Sequence, residues 1–92
     1  MLTLHLKKKW FDKIKAGEKT HEYREVKPYW TKAFYGNMTG MQIAFACGYP
    51  KVNDSEKWLY ARVISMRIIN GMQSDLKTCG LVYDIEFEVI RK

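Results

Sequence analysis

Between Tyr83 and Val89 the chain alternates without a break, with Tyr83, Ile85, Phe87 and Val89 on one side and Asp84, Glu86 and Glu88 on the other. Side chains of a strand point to opposite faces in turn, so the pattern predicts a strand with one face in a core and an acidic face outside. Such a strand needs partners of similar pattern, and the chain supplies them. Leu2, Leu4 and Leu6 alternate with Thr3 and His5, which predicts a half-buried strand with His5 pointing outward or into a cleft and given no role. Met41 to Cys47 is apolar or small on both faces, as suits a strand inside a sheet. Trp58 to Ile69 predicts one long strand, with Trp58, Tyr60, Arg62, Ile64 and Met66 on one side and Leu59, Ala61 and Val63 on the other. Its length calls for a bend or bulge.

The helical period appears only near the start. Trp10, Phe11 and Ile14 share a face at spacings of three and four, and Gly17 can take the positive φ that ends a helix. Lys13 and Lys15 suit the negative end of the helix dipole, whereas Lys7, Lys8 and Lys9 sit against it at the start. That misfit suggests a basic groove edge, or a merely solvated run. Pro28 opens a second short helix carrying Tyr29, Trp30, Phe34 and Tyr35; Trp30 and Phe34 are expected mostly in the core, Tyr29 and Tyr35 nearer the surface. Residues 48–56 read as a loop, Asn70-Gly71 as a turn, and Met72 to Gly80 as weakly patterned with one helical turn. The sum is an α+β protein forming one domain over residues 1–92. Its sheet is expected to curl into a small barrel.

Composition narrows the function classes. No apolar run approaches the roughly 20 residues of a membrane helix, and the Lys7–Lys9 run follows the apolar start instead of preceding it, the reverse of a secretion signal. A cytoplasmic protein with no membrane partner is expected. Cys47 and Cys79 form no CxxC pair, and His5 and His21 complete no ligand spacing, so neither metal nor cofactor is expected. Sixteen Lys plus Arg against ten Asp plus Glu give a net charge of +6. Most of the excess precedes residue 47, where nine basic residues face four acidic ones. A basic small domain suits phosphate-bearing partners, although this charge also serves solubility alone.

The stretch Gly17-Glu18-Lys19-Thr20-His21-Glu22-Tyr23-Arg24 concentrates the polar groups. If it runs extended, Thr20, Glu22 and Arg24 share one face with Lys19 at its mouth, and His21, Tyr23 and Glu25 take the other. Lys19 and Arg24 are candidates to hold a phosphate or base carbonyl, Glu22 to accept from a base amino group, and Tyr29 or Trp30 to stack. Lys7, Lys8 and Lys9 are candidates for the nucleic-acid backbone. A salt-bridged, solvated strand fits the same spacing.

Residues 14–24, with Gly17, Lys19, Glu22 and Arg24 at the matching positions, resemble the signature of the ASCH domain family of the PUA-like superfamily: a helix ending in Gly, then x-Lys-x-x-Glu-x-Arg running into a strand. The resemblance implies a PUA-like β-barrel of five or six mostly antiparallel strands with one to three short helices. It also implies a cleft beside the Lys19–Arg24 strand and an RNA, nucleotide or nucleoside ligand. Some small members deacylate N4-acetylcytidine, using a Lys at the position of Lys19, a Thr at that of Glu22, and a distant Glu. Here Glu22 replaces the Thr, and the sequence shows no clear counterpart for the distant acid. Catalytic roles for Lys19 and Glu22 would need Lys19 to give up its proton and Glu22 to shuttle one. A carboxylate between two cations instead favours the charged form of each. The expected order is therefore RNA or nucleotide binding first, hydrolysis of a modified nucleoside or RNA second, and a structural or protein-interaction role third.

Overall fold

The computed structural model describes residues 1–34 and 37–91. Tyr35, expected near the surface, lies outside them. The elements run β1 (Thr3–Leu6), α1 (Lys8–Lys15), β2 (His21–Glu25), α2 (Pro28–Ala33), β3 (Gln42–Cys47), β4 (Trp58–Asn70) and β5 (Leu81–Val89), with single 3₁₀ turns at Ser55–Lys57 and Gly71–Gln73. The strands form one five-stranded sheet in the order β1-β3-β4-β5-β2. β1 runs parallel to β3, and the other three pairings are antiparallel. None of the described helices is long and apolar enough to cross a membrane.

The alternation that predicts the strands also places the core. Leu4, Leu6, Ile43, Phe45, Val63, Ile85 and Phe87 are all buried on one face of the sheet, and α1 lays Phe11 and Ile14 over them. The Phe45 and Phe87 rings meet at 4.7 Å between centroids. Phe34 is buried as expected, while Trp30 is only partly so and stacks on it at 5.4 Å.

Three expectations change. The long strand does carry its irregularity, a register shift between Val63 and Ser65 that makes Ile64 the extra residue. One residue of slip exchanges the two faces, so Met66, grouped on one side with Ile64 by the alternation, packs on the core with the opposite set. The acidic face of β5 is not all outside. Asp84 is 3 % exposed, because β4 and β2 flank β5 and bring the Nε–H of Arg67 (3.0 Å) and the Nδ1 of His21 (2.7 Å) to its carboxylate. Finally, the sheet does not close into a barrel. β1 and β2 remain its two edges, and no backbone ladder joins them.

Candidate functional site

The gap between those two edges is where the polar residues collect. Val26 N–H donates to Leu81 and Phe87 N–H to the Thr20 carbonyl. Backbone direction alternates along a strand, so Glu22 and Arg24 bond toward β5, while His21, Tyr23 and Glu25 direct their backbone groups to the open edge. On β1, the Leu2 carbonyl accepts from Ala44 of β3 and that of Leu6 from Gly48 just after it, which leaves those of Thr3 and His5 facing the gap. Arg24 spans it. Its guanidinium donates to the Tyr23 carbonyl on the β2 edge (3.0 Å), to the His5 carbonyl on the β1 edge (3.3 Å) and to the Glu22 carboxylate (2.6 Å). It also lies 5.2 Å from the centre of the Trp30 ring. A side chain thus does part of what a closed ladder would do.

Beside this bridge opens a cavity of about 490 Å³ whose walls come from β1, β2, both helices and the loops after β3 and β4. That volume falls within the usual range for small-ligand sites. Glu22 and Arg24 share the inner face of β2, as the alternation requires, and both line the cavity. Lys19 lines it too, but it is 8 % exposed and not at the rim. The turn after Gly17, whose φ is +81°, folds it under two rings: its ammonium lies 5.1 Å from the centres of both Trp10 and Tyr23. It donates to Asp75 at 2.5 Å and sits 3.6 Å from Glu22. Carboxylates and ring faces all attract a positive charge.

Thr20 does not join the group. β2 begins at His21, so Thr20 precedes the strand, exposed, and lines two more open hollows beyond Lys19. The basic run also divides. Lys7 lines the cavity, Lys8 pairs with Asp12 at 2.6 Å, and Lys9 lies over Trp10 at 4.6 Å. Tyr29 is exposed on the cavity wall as expected. Trp30 lines the wall, but its ring already carries Phe34 and Arg24.

Three lining residues escape a reading of the sequence. His5 donates through Nδ1 to the Gly48 carbonyl (2.8 Å) and stacks on Tyr49 at 4.3 Å. Tyr49 is 87 % exposed at the mouth, so it and Tyr29 are the rings open to a ligand. Asp75 arrives on the loop between β4 and β5. That loop is set by Gly71, where an added Cβ would stand 2.6 Å from both the Thr78 Cγ2 and the Thr78 carbonyl oxygen. Ser74 ties it inward, its hydroxyl donating to the Gly71 carbonyl at 2.7 Å. Gly71→Ala should therefore cost roughly 1–3 kcal/mol of stability through overpacking. On thermal denaturation this reads as a midpoint lowered by about 4–8 °C per kcal/mol; an unchanged midpoint would show that the loop yields freely.

Partial burial, followed by the charges of Asp84 and Asp75, pushes the Tyr23 phenol above its ordinary value of 10.0. The folded state then keeps this proton longer than the unfolded chain does. The associated stability is present below about pH 10 and falls away as the pH rises through the folded value. In a phenolate absorbance titration, the amplitude lost in Tyr23→Phe should be the late-titrating part; loss of an early or ordinary part would contradict the assigned surroundings.

No protein-family model matches the chain, and no curated protein matches it in sequence. Among the described residues, no cluster of His, Cys, Asp and Glu is arranged to hold a metal ion.

Proposed function

We propose that this chain is an RNA- or nucleotide-binding module of the ASCH type, with a PUA-like sheet left open at the site and the cavity between β1 and β2 as the place of binding. The observation that carries the reading is the cavity itself, where the Glu22–Arg24 pair lies among aromatic walls with Lys7 at the mouth. Aromatic faces stack bases whatever their sequence, and cations beside them hold the backbone. Tyr29 and Tyr49 are the stacking faces, the edge backbone groups that Arg24 does not engage offer donors and acceptors to a base, and Arg24 fixes the distance between those edges. A cytoplasmic setting accords with this role.

The test is Arg24→Ala, measured for both unfolding and binding of a short single-stranded RNA. Loss of the charge-assisted bridge that fixes the two edges should weaken binding by roughly 1–3 kcal/mol. If stability falls while binding, corrected for the folded fraction, is unchanged, Arg24 only closes the sheet and the structural reading gains.

One observation favours a second reading, hydrolysis of a modified nucleoside. Asp75 puts an acid from a distant segment beside Lys19, where the family resemblance implies a distant Glu. Against it stands Glu22 in the place of the Thr that active relatives carry. Incubation with N4-acetylcytidine should give no rapid deacylation. Turnover abolished by both Lys19→Ala and Asp75→Ala would reverse the order of the two readings.

A further inference from the structure

The charges around the cavity define its ligand more narrowly than the presence of basic residues does. Its charged lining consists of Lys7, Lys19, Glu22, Arg24 and Asp75. Lys19 is matched by Asp75 and Arg24 by Glu22. Lys19, Glu22 and Arg24 are largely buried while Asp75 is 44 % exposed, so drawing either inner cation toward a ligand strips a buried charge of its match. Lys7 has no carboxylate partner among the described residues and stands exposed where β1 passes into α1. The interior is therefore balanced in charge, and one exposed cation remains at the edge. An anion-binding floor would need unmatched cations inside; a neutral planar group suits the interior as it stands.

Resting on the proposed function, we infer that the cavity takes one uncharged nucleobase with a single phosphate, that Lys7 at the rim receives this phosphate, and that further phosphates contribute nothing. The same chemistry comes from a mononucleotide or from one phosphodiester of an RNA strand. Arg24 and Lys19, expected from the sequence as phosphate ligands, instead shape and neutralise the interior. Lys8, paired with Asp12, and Lys9, over Trp10, stand outside it.

The test is a series of affinities at fixed salt for a nucleoside, its 5′-monophosphate, its triphosphate and a dinucleoside monophosphate of the same base. One phosphate meeting one exposed ammonium should raise affinity over the nucleoside by roughly 3–10-fold. The triphosphate should add less than about twofold to that, since no second unmatched cation lines the cavity. Lys7→Ala should erase the difference between nucleoside and monophosphate, and Lys8→Ala should preserve it. An equal gain for the dinucleoside monophosphate assigns the phosphate to a strand; a gain confined to the 5′-monophosphate assigns it to a free nucleotide. A nucleoside that binds as tightly as its monophosphate overturns the inference and leaves the proposed function standing. So does a triphosphate that binds tenfold or more tightly than the monophosphate. If no member of the series binds, both fall.

Discussion

Glu22→Ala should destabilise the protein by about 3 kcal/mol, the lower part of the range for breaking a buried ion pair from one side. Glu22 is 5 % exposed, and its carboxylate lies 2.6 Å from Arg24 and 3.6 Å from Lys19. Removing it leaves two cations facing one space. Lys19 retains Asp75, and Arg24 retains the Tyr23 and His5 carbonyls, which keeps the effect from being larger. Small domains hold only about 5–15 kcal/mol in total, so the shift in a urea midpoint should be plain. Glu22→Gln retains an acceptor for Arg24 and should cost less. A loss under about 0.5 kcal/mol, typical of a surface substitution, would mean that water screens the pair and that the cavity floor is not the charged interior described above.

Phe45→Ala should cost about 3–5 kcal/mol, as removal of a fully buried ring does. Phe45 is 0 % exposed on an inner strand and packs on Phe87. With about 4–8 °C per kcal/mol for a domain of this size, the thermal midpoint should fall by on the order of 15–30 °C. Phe45 does not line the cavity, so the folded fraction at low temperature should bind as the parent does. Reduced binding in that fraction would show that the core sets the spacing of the two edges.

The strands were legible because period two is a local signal. Leu4, Leu6, Ile43, Phe45, Val63, Ile85 and Phe87 all lie in the core as their alternation requires, and Ile14 joins them from the helical pattern. Glu22 and Arg24 pair on one face of β2 for the same reason. What alternation does not give is which strands are edges. Alternation puts His5 outward or in a cleft and gives it no role; because β1 is an edge bordering the gap, that histidine lines the cavity. Asp75 lies 56 residues from its partner Lys19 in a weakly patterned loop, and no local period encodes a contact of that range. Met66 depended on the exact residue of the bulge, and Asp84 on which neighbours flank β5. Thr20 shows the opposite error, an alternation extended past the end of its strand.

The central claim is that the gap between β1 and β2 holds a nucleotide. The most direct measurement follows the indole N–H resonances of the three tryptophans while ¹⁵N-labelled protein is titrated with a short single-stranded RNA of mixed sequence. Trp10 and Trp30 line the cavity. Trp58 does not line it, its indole N–H donating to the Lys51 carbonyl at 2.9 Å. The expected result is saturable movement of the Trp10 and Trp30 signals, together with the amides of His5, Lys7 and Arg24, while Trp58 stays in place. Movement of Trp58 with Trp10 and Trp30 unchanged, or no saturable movement of any of them, would contradict it.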